Sequence, residues 1–237
     1  MSKTHLEKKY KELIDKFQDE TNVNKHRIRL SSSEENHDTR LDTRALKDLQ
    51  HEKPVYTGGA EDWWKDVIRR TALSAGGDPE KLENSLPLIV PRLMHRFSSS
   101  EGYKAFDDVI PTLSLLKNKG FKTGVVTNSD SRIKSVIADL GLSTYLDIVV
   151  VSEEEGIEKP DKEIWQRTCS RLNIHTSKAC HTGDELVCDY YGAQKAGLHP
   201  FLLRRPGSEG EGERKEVDEG LNDINVIQTL GEIVEKI

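Results

Sequence analysis

Hydrophobic and polar residues alternate in two different ways along the second part of the chain. Segments with helical spacing, such as 107–120 with Leu113 and Leu116 on one face, are each followed by a short run rich in β-branched residues. This order is typical of βαβ units, in which helices cover parallel strands, and it predicts an α/β core over 106–237. The predicted strands are 121–128, 146–154, 179–185 and 199–205, and the predicted helices between them are 129–140, 162–172 and 190–196.

The first part of the chain keeps its apolar residues at helical spacing and has no run rich in β-branched residues. We predict a helical accessory domain over 1–105. Pro87 and Pro91 are expected at a helix start or at a kink, because proline lacks the N–H group of a helix interior. The predicted helices are 6–17, 61–74 and 84–97, and the second of them is expected to bury Trp64, Val67, Ile68 and Thr71.

Two polar segments interrupt this pattern. Residues 31–44 and 206–220 contain Ser, Gly and charged residues with almost no apolar side chains. A segment of this composition buries too little apolar surface to offset the loss of chain entropy on folding. We therefore predict two mobile loops, of which the first is an insert in the helical domain.

Charge and composition limit the classes of partner. The 237 residues include 35 Lys and Arg against 41 Asp and Glu, which gives a net charge of 35 − 41 = −6. This balance gives no electrostatic reason to expect nucleic acid or an anionic membrane as a partner. No stretch reaches the roughly 18 apolar residues of a membrane span, and the N-terminus lacks the apolar core of a secretory signal. We expect a soluble intracellular protein, cytoplasmic or also nuclear.

The cysteine and histidine residues do not follow the spacing of a zinc site. Neither a C-x-x-C nor an H-x-x-x-H pattern frames them. We interpret them as scattered structural thiols and imidazoles. The residues in question are Cys169, Cys180, Cys188, His175, His181 and His199.

Chemically useful side chains follow the predicted strands at their carboxyl ends, where ligands of parallel sheets bind. Thr127 and Asn128 end one run, Lys159 follows the next, and Asp184 and Asp189 follow the third. Together they offer a hydroxyl, a cation and paired carboxylates, which suits a phosphoryl group with Mg²⁺. Singly, each also has an ordinary interpretation as a turn residue, a helix entry or a helix cap.

The order of these residues resembles a known family. An apolar strand ending in TNSD, then EKPD, then GDELVCD is similar to the second, third and fourth motifs of the haloacid dehalogenase-like (HAD) hydrolase superfamily. The resemblance runs from Phe106 to Arg205, and weaker similarity in 52–71 points to the eukaryotic subgroup with a helical cap inserted after the first strand. It implies a Rossmann-like three-layer αβα parallel sheet with a helical cap domain.

The resemblance also implies roles for the strand-end residues. Thr127 and Asn128 would bind the substrate, with the Thr127 hydroxyl on the phosphoryl oxygens. Lys159 would hold the phosphoryl group and the nucleophile together. Asp184 and Asp189 would bind Mg²⁺, directly or through water.

The sequence departs from the family in its first motif. The family places its nucleophile and its general acid and base in D-x-D after an apolar strand, and these 237 residues contain no D-x-D. No nucleophile can therefore be assigned. By the resemblance, the central first strand, between the strands ending at Thr127 and at Asp184, is missing.

Three explanations stay open. In the first, the sequence is truncated and 31–44 is read through from non-coding sequence. The intact protein would then be a Mg²⁺-dependent phosphohydrolase that acts on a small phosphorylated metabolite through an aspartyl-phosphate. Alternatively, the chain is a pseudoenzyme that binds phosphate or a protein partner. A third explanation, chemistry through Cys188 or His181, finds no activating partner for either residue in the sequence.

Substrate recognition by such proteins lies in the cap. The sequence offers a few large polar or aromatic side chains there, and for the aromatic ones a place in the hydrophobic core is the favoured interpretation. These candidates are Trp63, Trp64, His95 and Tyr103.

Overall fold

The computed structural model describes residues 45–46, 48–210 and 219–237. The apolar stripe predicted at 6–17 and the polar insert predicted at 31–44 lie outside these residues. The described chain divides into two compact units, with the boundary between residues 96 and 97.

The first unit is helical in its described residues. It contains the 3₁₀ turn Pro54–Tyr56, helix α1 (Ala60–Ser74) and helix α2 (Pro79–Arg96). Its core includes an aromatic cluster in which the Trp63 ring lies 4.9 Å from Tyr56 and 5.1 Å from Trp64, centroid to centroid. Trp63 Nε1 also donates to the carbonyl of Lys53 at 2.9 Å. Both tryptophans are therefore core residues, whereas His95 is exposed.

Helix α1 buries most of the face that the sequence predicts. Trp64, Val67 and Ile68 are buried, but Thr71 is half-buried. Ala72 is buried in addition, and it lies on the same face as Ile68 because residues i and i+4 of a helix share a face.

Helix α2 excludes one of the two positions predicted for Pro87 and Pro91, the helix start. The helix begins at Pro79 and both Pro87 and Pro91 lie inside it, not at its start. Proline is favourable at the first helical position, and the Asp78 carboxylate accepts from the Lys81 amide at 2.9 Å, which caps this helix start. A buried stripe offsets the helical hydrogen bonds that the inner prolines cannot donate. It consists of Leu86, Ile89, Val90 and Leu93.

The second unit alternates strands and helices in the predicted order. None of the helices in the described part of the chain combines the length and apolar composition that crossing a membrane requires. The regular elements are α3 (Val109–Asn118), β1 (Gly124–Thr127), α4 (Ile133–Asp139), β2 (Ile148–Val151), α5 (Ser152–Glu155), α6 (Lys162–Arg171), β3 (Cys180–Gly183), a π-helical turn (Leu186–Tyr191), α7 (Gly192–Lys195), β4 (His199–Leu203), β5 (Val226–Ile227) and α8 (Ile233–Lys236). The 3₁₀ turns are Ser143–Tyr145, Thr176–Lys178, Gly207–Gly210 and Leu230–Glu232.

All strand pairs are parallel, as an α/β core requires. β1 pairs with β2, so that Thr127 lies opposite Val151, while β4 lies between β3 and β5. The predicted α/β fold with four strands is confirmed, and β5 is an additional short strand. Within the described residues, β1 and β3 belong to separate ladders.

Residues 97–105 belong to the second unit, although the sequence analysis placed them with the helical domain. The Phe97 and Tyr103 rings contact edge to face at 6.1 Å, and the Ser100 amide donates to Asp139 Oδ2 at 2.6 Å. The first contact lies within the segment, and the second attaches the segment to the end of α4. Hydrophobic spacing alone does not encode a contact between residues so far apart in sequence.

The core of the second unit supports the segment that carries Lys159. Ile164 and Trp165 of α6 are buried together with Val150 of β2. A Cβ atom on Gly192 would lie 2.5 Å from the Trp165 ring and 3.1 Å from the Cα atom of Pro160. Glycine therefore permits the close packing of α6 and α7 against the residue that follows Lys159.

Candidate functional site

Asn128, directly after β1, positions the main chain of Lys159. Its side-chain Nδ2 donates to the Lys159 carbonyl at 2.8 Å, and its Oδ1 accepts from the Lys159 amide at 2.8 Å. One amide side chain thus pairs with both polar groups of one residue. The two residues, far apart in sequence, are joined at the carboxyl end of β1, as the sequence predicts for neighbouring parallel strands.

Lys159 and Asp189 form a buried ion pair. Lys159 Nζ donates to Asp189 Oδ1 at 2.6 Å, and the two side chains are only 12% and 5% exposed. The ion pair connects the segment after β2 to the π-helical turn after β3. Two of the residues singled out in the sequence are therefore in direct contact.

Asp189 receives two further hydrogen bonds. His181 Nε2, on β3, donates to Oδ1 at 3.0 Å, and the Glu185 amide donates to Oδ2 at 3.0 Å. The sequence indicates no activating partner for His181, because its contact with Asp189 depends on how the chain turns after β3. His181 also packs edge to face on the Trp165 ring, with 5.4 Å between ring centroids.

This network keeps both members of the ion pair charged. Burial would raise the pKa of Asp189, but the Lys159 charge and the His181 hydrogen bond hold that pKa well below its usual range. Burial would lower the pKa of Lys159, but the Asp189 charge and hydrogen bond outweigh it and the pKa is raised. The site therefore presents a buried ammonium group with a fixed counter-ion.

The turn that carries Asp189 is π-helical. The Glu185 carbonyl accepts from the Asp189 amide at 2.7 Å and from the Tyr190 amide at 3.2 Å. This wide turn folds the Asp189 side chain back over the end of β3. A Cβ atom on Gly183 would lie 2.2 Å from the Asp189 carboxylate carbon, so the close approach requires glycine. π-Helical turns of this kind occur frequently at functional sites.

Asp184 lies between β3 and the π-helical turn. Its carbonyl accepts from Arg204 Nη1 at 2.6 Å, and Arg204 in turn pairs with Glu219. Neither Arg204 nor Glu219 was singled out in the sequence, since one lies in the predicted strand 199–205 and the other in the predicted loop 206–220. Only their tertiary contacts connect them with the site.

The hydroxyl groups at the end of β1 complete this edge. Thr127 is the last residue of β1 and is half-buried. The Oγ atom of Ser129, two residues later, is buried and has no hydrogen-bond partner among the residues that the structure describes. A buried hydroxyl without a partner is costly, and a ligand oxygen at this edge would satisfy it.

The side chains at this edge could hold a metal ion only together with oxygen atoms from water or from a bound phosphate. In the part of the chain that the structure describes, no group of three or more His, Cys, Asp or Glu side chains is arranged to hold a metal ion. Mg²⁺, however, commonly takes one or two carboxylates and completes its shell with water and phosphate oxygens. Asp189 already accepts three hydrogen bonds, from Lys159, His181 and the Glu185 amide.

The nearby cysteine is not activated. Burial, together with the neighbouring Glu185, raises the pKa of Cys188 to about 12. Burial also raises the pKa of Cys169 and of Cys180. Since the thiolate is the nucleophilic form, these cysteines are protonated and unreactive at neutral pH.

Comparison with known proteins identifies the lineage. A sequence profile of the haloacid dehalogenase-like hydrolase family matches residues 4–197. The chain belongs to the haloacid dehalogenase-like hydrolase family. The geometry above is thus that of a HAD-like hydrolase fold in which motif residues Asn128, Lys159 and Asp189 are connected by hydrogen bonds.

Two curated relatives illustrate the similarity. The mouse haloacid dehalogenase-like hydrolase domain-containing protein 3 is 33% identical over 150 residues, which cover 63% of this chain and 58% of that protein. The glyceraldehyde 3-phosphate phosphatase of Methanopyrus kandleri is 35% identical over 133 residues, covering 55% of this chain and 54% of that enzyme. The match therefore spans less than two thirds of either HAD relative.

Solved structures share the fold. The HAD-hydrolase YfnB of Bacillus subtilis, bound to magnesium, superposes with a TM-score of 0.66 at 20% identity, covering 98% of this chain and 90% of that one. The HAD phosphatase of Thermococcus onnurineus gives a TM-score of 0.55 at 23% identity, covering 86% and 91% of the two chains. At this identity the likeness establishes the HAD fold of the chain and nothing finer.

Proposed function

We propose that this HAD-like chain binds a phosphoryl group together with Mg²⁺ at the carboxyl ends of β1 and β3, and does not hydrolyse it unaided. The observation that carries the proposal is the buried Lys159 ammonium group. Its main chain is held by Asn128 and its side chain by Asp189. A cation held in this way costs little further reorganisation when an anion binds.

Different side chains around this edge would bind the phosphoryl group and Mg²⁺. Lys159 would balance the charge of the phosphoryl oxygens, and the hydroxyl groups of Thr127 and Ser129 would donate to them. Asp184 would bind Mg²⁺ directly and Asp189 through water, while Asp189 keeps Lys159 in place. The metal ion, when bound, would supply positive charge against the phosphoryl oxygens.

The absence of hydrolysis rests on the sequence. These 237 residues contain no D-x-D, so the chain offers no carboxylate pair of the kind that the family uses as nucleophile and general acid and base. The name of the archaeal relative, glyceraldehyde 3-phosphate phosphatase, supports a small phosphate monoester as the ligand class. The alternative of a protein-binding module stays a prediction.

A second candidate function is phosphoester hydrolysis through an aspartyl-phosphate, with a strand and nucleophile added to this chain. One observation favours it. Among the residues with described structure, β1 pairs only with β2, and β3 only with β4, although both strands end at the same site. An added strand between β1 and β3 would pair with both and would bring its end to Lys159.

The proposal is tested with the purified 237-residue chain. Tungstate or phosphate with Mg²⁺ is expected to raise the melting temperature, because a ligand that binds only the folded state stabilises it. Lys159→Met is expected to weaken anion binding by about tenfold or more, as the loss of a hydrogen bond to a charged group implies. Lys162→Met, at the exposed first position of α6, is the matched control.

Two results would contradict the proposal. If Mg²⁺ and tungstate leave the melting temperature of the wild-type chain unchanged, the chain is not a phosphoryl-binding protein. If the chain releases phosphate from an aryl phosphate and Asp184→Asn abolishes this activity, the chain hydrolyses phosphoesters without D-x-D.

A further inference from the structure

The peptide group between Asp184 and Glu185 is held from both sides by side chains. Its carbonyl, from Asp184, accepts from Arg204 Nη1 at 2.6 Å. Its amide, from Glu185, donates to Asp189 Oδ2 at 3.0 Å. Arg204 and Asp189 thus fix one peptide plane between them.

Regular secondary structure does not fix this peptide group. β3 ends at Gly183 and the π-helical turn begins at Leu186, so the two residues between them belong to neither element. The orientation of this peptide group sets ψ of Asp184 and φ of Glu185, so the two hydrogen bonds fix the path of the main chain from β3 into the turn that carries Asp184 and Asp189.

Arg204 is itself held by a nearly buried carboxylate. Glu219 accepts from Arg204 Nη2 at 2.5 Å and from Nε at 3.2 Å, and the two side chains are 10% and 8% exposed. A two-point contact of this kind fixes the plane of the guanidinium group. The remaining Nη1 donates to the carbonyls of Asp184, at 2.6 Å, and of Leu203, at 3.0 Å.

The neighbouring arginine, Arg205, makes different contacts from those of Arg204. Arg205 turns to the other side of the chain, where Nη2 donates to Asp108 Oδ1 at 2.8 Å and the guanidinium lies 4.1 Å from the Phe106 ring centroid. Asp108 Oδ2 accepts from the Leu230 amide at 2.8 Å. Arg205 therefore connects structural segments, whereas Arg204 contacts the main chain of a candidate metal ligand.

We propose that Arg204, oriented by Glu219, is a positioning residue for Asp184 and sets the Mg²⁺ affinity of the site without touching the metal ion or the phosphoryl group. This inference rests on the proposed function, since it presupposes Mg²⁺ at Asp184. It assigns a role to Glu219, in a segment that the sequence alone predicts to be a mobile loop.

The test compares two neutralised ion pairs. Arg204→Gln with Glu219→Gln removes the guanidinium without leaving a buried charge unpaired. Arg171→Gln with Glu155→Gln is the control, because this pair also makes a two-point contact, at 2.5 and 2.8 Å, and joins α6 to α5. Mg²⁺ affinity is measured by titration at saturating tungstate, and tungstate affinity is measured separately without Mg²⁺.

The expected result is selective. Partners that orient metal ligands typically contribute about 10- to 100-fold to metal affinity, so the Arg204 and Glu219 variant is expected to bind Mg²⁺ at least about tenfold more weakly. Its tungstate affinity without Mg²⁺ is expected to change by less than about twofold, because Lys159 keeps its contacts. The control variant is expected to bind both ligands like the wild type.

The outcomes separate this inference from the proposed function. A wild-type chain that does not respond to Mg²⁺ and tungstate contradicts the proposed function, whatever the variants do. A responsive wild type with unchanged Mg²⁺ affinity in the double variant overturns the inference, and so does an equal loss of Mg²⁺ and tungstate binding. If the double variant does not fold, Glu219→Gln alone keeps every Arg204 donor, and unchanged Mg²⁺ affinity in it overturns the inference.

Discussion

The two units of the chain each contain a lysine–aspartate ion pair of almost the same length. In the second unit, Lys159 Nζ lies 2.6 Å from Asp189, and in the helical unit Lys53 Nζ lies 2.7 Å from Asp66. The surroundings differ. The first pair is 12% and 5% exposed and the second is 41% and 26% exposed. Asp66 has a second cation, Arg69 Nη1 at 3.0 Å, whereas Asp189 has His181 and a backbone amide.

The two ion pairs differ in burial and therefore in what the loss of one partner would cost. Lys53 lowers the pKa of Asp66 through a hydrogen bond that water can replace, and such partly exposed pairs contribute little to stability. At Asp189 no water replaces Lys159, so the loss of one partner leaves the other charge buried and unpaired. Equal distances thus describe a replaceable surface contact in one unit and a mutually dependent network in the other.

Replacing Asp189 is expected to have the largest effect. Asp189→Asn leaves the Lys159 ammonium group without a counter-ion and directs an amide toward donors that need an acceptor. We expect a loss of about 3–5 kcal/mol in the free energy of unfolding, measured by urea titration. A loss no larger than that of Asp66→Asn would show that the buried network is no more important than the surface pair.

Adding one methyl group beside the network is expected to have the next largest effect. In Gly183→Ala the new Cβ atom would meet the Asp189 carboxylate, so Asp189 must move and its hydrogen bond from Glu185 must lengthen. We expect a destabilisation of about 1–3 kcal/mol and a smaller response of the melting temperature to Mg²⁺ and tungstate. Gly220→Ala, where a Cβ atom meets nothing within 4 Å, is the control, and equal effects of the two variants would contradict the steric argument.

The pH dependence of stability is expected to reflect the ionised Lys159–Asp189 pair. The folded-state pKa of Asp189 is depressed, so its contribution is complete above the unfolded pKa of about 3.9 and is lost as the pH falls toward the lower folded value. The pKa of Lys159 is raised, so its contribution is complete below about 10.4 and is lost at higher pH. Melting temperatures of the wild type are therefore expected to fall more steeply below about pH 4 than those of Asp189→Asn. Parallel curves would contradict the ionised pair.

The surface pair is expected to give the smallest effect. Asp66→Asn, the same substitution as in the buried network, should cost at most about 1 kcal/mol, and added salt should reduce the difference further. Urea titrations at low and high salt measure both effects. A cost above about 2 kcal/mol, or one that salt leaves unchanged, would mean that Asp66 has a structural role beyond its ion pairs.

The sequence predicted the repeating part of the fold, and the roles of the strand-end residues stay predictions. Strand–helix alternation placed β1 to β4, because buried strands and helix faces need apolar residues at fixed spacing. It did not indicate β5, since two residues carry no periodic pattern. It left open a helix start or a kink for Pro87 and Pro91, and the structure places both inside α2.

The sequence alone determined which chemical groups follow the strands: a hydroxyl, an amide, a lysine and two carboxylates. The tertiary structure alone decided how they combine. It joins Asn128 to Lys159, surrounds Asp189 with three donors, and brings Arg204 with Glu219 to the Asp184 carbonyl. Hydrophobic spacing specifies which face of an element is buried, whereas these contacts depend on where distant segments meet, and burial gives them their strength.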